Sequence, residues 1–190
     1  MDKITYKGVS RYRVIRKSLF TMLFLSSFFM NSSAIAGDLQ KGNAAPGFVL
    51  LDQDSKSHSL ADYAGRWLVL YFYPKADTPG CTTEACQFRD DIFQFKQLGV
   101  ALLGVSTDDV KSQEEFANKY HLPFPLLSDA DGSVAASYGS FTSFGPIKFA
   151  KRHTFIIDPE GKIARIYRSV TPKTHSSQVL ADLKQLGAGK

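Results

Sequence analysis

Cysteine is scarce in this chain: there are two in 190 residues, Cys81 and Cys86. So few thiols exclude a disulfide-dense scaffold. With four histidines scattered at positions 58, 121, 153 and 175, they show none of the ligand spacings of a zinc-type site. A membrane-spanning helix needs about 20 apolar residues. The longest such run, from Leu19 to Met30, is only about a dozen. Residues 37–190 also lack a Gly-rich phosphate loop, an internal repeat, a linker and a low-complexity tract. Any chemistry here must be built from few reactive groups.

An excess of one charge is missing too, once the chain is divided. Residues 1–36 carry Lys3, Lys7, Arg11, Arg13, Arg16 and Lys17 against the single acid Asp2. The short apolar run follows, and then Asn31-Ser32-Ser33-Ala34-Ile35-Ala36-Gly37. A basic start, a short apolar stretch and an Ala-x-Ala ending predict a secretory signal peptide, cleaved after Ala36. The alternative is an uncleaved anchor, suggested by the long basic lead-in. No cysteine directly follows the apolar run, which argues against a lipid-anchored form. Of 23 Lys and Arg and 18 Asp and Glu, 17 of each remain beyond residue 36. The formal charge of +5 therefore belongs to the leader, and nucleic acid is not an expected partner. The remaining 154 residues make one ordinary domain. Its expected location is exported, periplasmic in a Gram-negative cell, with no stable membrane insertion once the leader is removed.

Hydrophobic periodicity divides that domain. Residues 48–51 are a short strand candidate, and 59–63 a brief helical turn. The continuous apolar run 67–73 predicts a strand buried on both faces, stopped by Pro74. Ala85, Phe88, Ile92, Phe95 and Leu98 recur at helical intervals and predict one helix over 79–97, ended by Gly99. A second buried strand over 100–106, a helix over 110–120, a short strand at 124–127 and a helix over 133–138 follow. Residues 154–157 and 163–167 flank the turn-forming Asp158-Pro159-Glu160-Gly161-Lys162 and predict an antiparallel hairpin. A helix over 178–186 closes the chain. This order predicts an α/β sheet with one antiparallel edge.

The two cysteines fall where the strand at 67–73 gives way to the long helix. Count and compartment alone would suit one structural disulfide. Along a helix, however, five residues rise about 7.5 Å and turn the side chains roughly 140° apart. The Cα atoms would then be roughly 8–9 Å apart, beyond the limit of about 7 Å for an undistorted bridge. Such a bond can form only if the helix unwinds, which suits a switch better than a staple. Thr78 is a good N-cap and Pro79 then occupies the first helical position. Cys81 lands in the first turn, beside unpaired N–H groups and the positive end of the helix dipole, which favour a thiolate. That geometry supplies a nucleophile without a partner histidine. None of His58, His121, His153 and His175 is near Cys81 in sequence, and each reads as a surface or core residue.

Pro74-x-x-x-Thr78-x-x-Cys81 resembles the active-site signature of the peroxiredoxins. The longer run Thr78-Pro79-Gly80-Cys81-Thr82-Thr83-Glu84-Ala85-Cys86-Gln87-Phe88-Arg89-Asp90 is similar to the bacterioferritin-comigratory-protein or Q subfamily. The resemblance extends over nearly all of 37–190, including Val105-Ser106-Thr107-Asp108 and 152–158. It implies a thioredoxin-like, three-layer α/β/α fold with a mixed central sheet. It implies a thiol peroxidase for hydrogen peroxide and organic hydroperoxides. Cys81 would be the peroxidatic thiolate and Cys86 its resolving partner in an intramolecular disulfide. Thr78 would hydrogen-bond the peroxide oxygens, Pro74 would shield the thiolate, and Arg152 would supply a fixed positive charge. A thioredoxin-type dithiol would reduce the disulfide, with no cofactor or metal. A monomer would suffice, because no third cysteine exists to act from a second subunit.

Arg89, beside Asp90 and Asp91, reads as an ordinary surface pair. Phe141-Thr142-Ser143-Phe144-Gly145 reads as a loop that could line the peroxide entrance, although aromatics in a loop are more often core. Two alternatives remain. A thiol–disulfide oxidoreductase of the thioredoxin kind would need Cys-x-x-Cys, a spacing that Cys81 and Cys86 do not make. A non-catalytic binding module would carry Cys81 and Cys86 as an inert bridge.

Overall fold

The computed structural model describes residues 39–190; the expected leader lies outside the described residues. Its centre is β3 (Leu68–Phe72), buried along its whole length. Alternate residues serve opposite faces, as the period of a strand requires. Val69, Tyr71 and Tyr73 join one apolar cluster, while Leu68, Leu70 and Phe72 join another. β3 pairs in parallel with β4 (Ala101–Ser106), and β4 in parallel with β5 (Leu126–Ser128). On its other side β3 pairs antiparallel with β8 (His153–Ile157), which forms the expected hairpin with β9 (Ile163–Tyr167). β1 (Val49–Leu51) and β2 (Ser57–Ser59) add a second antiparallel edge beyond β5. The seven-stranded order is β2-β1-β5-β4-β3-β8-β9.

Helices cover both faces of this mixed sheet. On one side lie α1 (Pro79–Asp90), α2 (Ile92–Gln97), α3 (Val110–Tyr120) and α5 (His175–Leu186), meeting through Phe88, Phe95, Phe116 and Leu183. On the other, α4 (Ser133–Ser137) packs with Phe48, Tyr138 and Phe155. Each large apolar side chain so buried contributes roughly 1.5–3 kcal/mol. One glycine is required by the packing: a Cβ at Gly104 would lie 2.8 Å from the Tyr71 ring. Among the described residues no helix is long and apolar enough to cross a membrane.

The structure departs from the expected elements at several points. The sheet has two antiparallel edges rather than one, because the polar Ser57-His58-Ser59 is a strand that carries no apolar period. The brief helical turn expected at 59–63 does follow it, as one turn of 3-10 helix over Leu60–Tyr63. The helix expected over 79–97 is divided at Asp91, whose carboxylate accepts the Ser176 hydroxyl (2.8 Å) and the Gln94 side-chain amide (2.9 Å). The backbone itself leaves regular helical geometry there, at φ −92° and ψ 0°. Gly99 does stop the segment, at φ +68°. The expected loop at 141–145 is instead part of a hairpin, β6 (Phe141–Phe144) with β7 (Ile147–Ala150).

The final helix begins at His175, three residues earlier than expected. His175 is fully buried against Phe88 and Tyr167, with Nε2 2.8 Å from the Thr154 hydroxyl. Burial pushes its imidazole down to about 4. In the unfolded chain the value is about 6.5. A depressed folded value means the contribution is present above about 6.5 and is lost as pH falls towards about 4, up to about 3 kcal/mol in all. The stability difference between wild type and His175→Asn is therefore expected to shrink on acidification from pH 7 to pH 4. Urea unfolding of both proteins at the two pH values checks this; an unchanged difference would mean that His175 folds with its proton.

Candidate active site

The site is assembled where β3 ends. Tyr73 makes the last sheet bond, N–H to the Val105 carbonyl at 3.0 Å. Half-buried Pro74 then opens a loop that runs to Thr78. Within it Asp77 adopts φ +58°, costly for a non-glycine residue. Lys119 (2.7 Å) and the Tyr120 hydroxyl (2.6 Å), at the end of α3, donate to its carboxylate and hold it there. Thr78 is extended and its carbonyl accepts the Thr82 N–H at 2.8 Å, which starts α1. Pro79 occupies the first position, as expected. The capping differs from expectation: the Thr78 hydroxyl makes no bond to the helix and donates to the Lys75 carbonyl at 2.9 Å.

Cys81 lies in the first turn of α1, 1% exposed, so bulk water hardly reaches its sulfur. Arg152, in the short link between β7 and β8, brings a guanidinium to it. Nη2 donates to Cys81 Sγ at 3.2 Å and Nη1 donates to Glu84 Oε2. The fork of the guanidinium thus spans two groups three residues apart on one helix face. Gly80 leaves room for it, since a Cβ there would sit 3.2 Å from Nη2.

Glu84 was not anticipated. It is fully buried, and its second oxygen, Oε1, has no hydrogen-bond partner. Burial pushes its carboxyl up to about 7, against the pull of the Arg152 charge. Tyr71 lies close enough to feel the charges of Glu84, Cys81 and Arg152, and burial raises its phenol well above 10. The signal for Glu84 was its place one turn after Cys81. An acid on a helix ordinarily sits at the solvated surface, so the pattern alone did not point inward.

Cys86 is half-buried further along α1, and both thiols are free. Arg89 takes no part at Cys81: it pairs with Asp90 (2.8 Å) and donates to the Tyr120 carbonyl (2.8 Å). The histidines behave as surface or core residues. His58 lies between Asp52 (2.7 Å) and Tyr63 (2.6 Å), His153 beside Ser140 (3.0 Å), and His121 is exposed. Among the described residues no group of side chains could hold a metal ion. Phe144, at the hairpin tip, is exposed, while Phe141 packs where a Cβ of Gly132 would be.

Residues 41–166 match the model of the AhpC/TSA family. The chain belongs to that family. This peroxiredoxin is 42% identical over 154 residues to the chloroplastic peroxiredoxin Q of Oryza sativa subsp. japonica, which covers 80% of the chain and 70% of the relative. Its fold matches the crystal structure of the peroxidoxin BcpB from Mycobacterium tuberculosis, with TM-score 0.74 and 36% identity over 78% of the chain and 98% of the relative. The bacterioferritin comigratory protein of Xanthomonas campestris, studied for its alkyl peroxide reduction activity, matches with TM-score 0.71 and 35% identity over 78% and 97%. The thioredoxin-like α/β fold and the thiol peroxidase activity expected from the sequence both stand. A dithiol oxidoreductase and an inert bridged module are not favoured.

Proposed function

We propose that this peroxiredoxin is an exported monomer in which Cys81 attacks the peroxide and Cys86 resolves the product. The observation that carries this reading is the Arg152 Nη2–Cys81 Sγ contact of 3.2 Å at the first turn of α1. The guanidinium stabilises negative charge on sulfur and on the oxygen that departs. The Cys81 thiolate attacks one peroxide oxygen: an S–O bond forms, the O–O bond breaks, and the second oxygen leaves as water or an alcohol after taking a proton. Because the Thr78 hydroxyl donates its hydrogen to the Lys75 carbonyl, its lone pairs are left as acceptors for the peroxide O–H. Pro74, at the mouth of the loop, limits access of water.

Sulfenic acid is the product on Cys81. The Cys86 thiolate then attacks the Cys81 sulfur, forming the S–S bond and releasing hydroxide, which is protonated to water. Both thiols lie within α1, so its first turns must unwind for them to meet. A thioredoxin-type dithiol restores both thiols by exchange through a mixed disulfide. Hydrogen peroxide and organic hydroperoxides are the proposed substrates. The leader at 1–36 directs export, to the periplasm in a Gram-negative cell.

The test is a thiol count with mass measurement. One equivalent of hydrogen peroxide added to the reduced protein is expected to consume both thiols together, with loss of two hydrogens and no retained oxygen. Retained oxygen beside an intact Cys86 thiol would remove Cys86 from the reaction.

A further inference from the structure

Asp108 has no part in the mechanism above, yet it is the most heavily engaged acid near the site. Its side chain is wholly buried between the end of β4 and the start of α3. Three donors converge on it. Lys75 Nζ donates to Oδ1, while the Ala76 N–H (2.7 Å) and the Ser106 hydroxyl (2.8 Å) donate to Oδ2. Two of the three come from the loop between Pro74 and Thr78.

The acid is itself anchored on its far side. Ser106 Oγ accepts from the Gln113 amide at 2.8 Å, and that amide also reaches the Leu127 carbonyl at 3.1 Å. Gln113 Oε1 accepts the Tyr73 hydroxyl. The Asp108 carbonyl accepts the Ser128 hydroxyl at 2.8 Å. β3, β4, β5 and α3 are thereby joined through buried, mutually satisfied polar groups, an arrangement that specifies one geometry.

We infer that Asp108 is a positioning residue for peroxide reduction, holding Lys75 and Ala76 so that Thr78 keeps its lone pairs free for the peroxide. This rests on the reading of Thr78 as the acceptor. A threonine at the N-cap ordinarily turns its oxygen onto helical N–H groups, which would consume the lone pair. Here the hydroxyl is turned the other way, because the Lys75 carbonyl is held 2.9 Å from it. Without Asp108, Lys75 and Ala76 lose their shared anchor and the ordinary cap becomes available to Thr78. Asp108 contacts neither Cys81 nor Arg152, so the sulfur keeps its nucleophilicity while the peroxide loses its acceptor.

The experiment compares two reagents on the full chain. The rate of Cys81 oxidation by hydrogen peroxide is measured beside its alkylation by iodoacetamide, which needs no acceptor for an O–H. Asp108→Asn is expected to slow oxidation about tenfold, the scale of one displaced hydrogen bond, and alkylation less than about twofold. In a Thr78→Val background, which already lacks the acceptor, Asp108→Asn is expected to slow oxidation by less than about twofold further. Parallel slowing of both reactions, additive costs, or no slowing in Asp108→Asn would each overturn the inference while leaving Thr78 in its role. Thr78→Val with an undiminished oxidation rate would instead overturn the reading of Thr78, and the inference with it. Should Asp108→Asn fail to fold, Lys75→Met removes one donor from the exposed side. It is expected to slow oxidation about threefold with the same sparing of alkylation, and parallel slowing there would again overturn the inference.

Discussion

Replacing Cys81 with serine is expected to reduce peroxide consumption to the uncatalysed background, a loss on the order of 10⁴-fold or more. The argument lies in what surrounds the sulfur. The hydrogen-bond partner of its sulfur is a cation, Arg152. A cation favours an anion that already exists but removes no proton from a serine hydroxyl, so the variant has no nucleophile. Cys86→Ser is expected to behave differently. It should consume one equivalent of peroxide at an undiminished rate, retain one oxygen on Cys81, and then stop with a dithiol donor. Stopped-flow peroxide consumption followed by mass measurement separates the two. Sustained turnover in Cys86→Ser with a dithiol donor would show that α1 need not unwind for reduction.

Sequence pattern reached the frame of this site more easily than its electrostatics. β3 was legible because seven apolar residues in a row have few other solutions. The start of α1 was legible because Thr78 and Pro79 are characteristic helix-opening residues. Arg152 was not. It lies 71 positions from Cys81, and a Lys-Arg pair before a strand is usually solvated, so only the family resemblance singled it out. Glu84 was hidden for the converse reason: an acid one turn into a helix looks like a surface residue until a half-buried arginine gives it a partner. Thr78 was singled out by its place in the motif, but the direction of its hydroxyl depends on where the Lys75 carbonyl is held. The inferred anchor of that carbonyl is Asp108, just past the end of the neighbouring strand β4. The β6–β7 hairpin escaped because Thr142 and Ser143 interrupt any apolar alternation, and Asp91 divided a helix whose apolar period runs through the break. Local pattern reports which face is buried; it is silent on which distant polar groups meet there.

Arg152→Met should then have two consequences that can be measured apart. The first is chemical: Cys81 loses the charge that steadies both thiolate and departing oxygen, and its oxidation is expected to slow about 10²–10³-fold. The second concerns stability and depends on pH. Glu84 has an ordinary unfolded value near 4.5 and is pushed up to about 7 in the folded protein, so its contribution is lost as pH rises from the first value through the second. Removing the Arg152 charge raises the folded value further. Below about 7 Glu84 is protonated in both proteins, and the penalty of Arg152→Met is constant. Above it the wild type has ionised against its partner, whereas the variant keeps losing about 1.4 kcal/mol per pH unit. Urea unfolding at pH 6 and pH 8.5 is expected to show the penalty growing by about 1–2 kcal/mol. With Glu84→Gln in both proteins that growth should vanish while the slow oxidation persists. Growth of equal size in the Glu84→Gln background would mean that another group carries the pH dependence, and that the guanidinium serves sulfur alone.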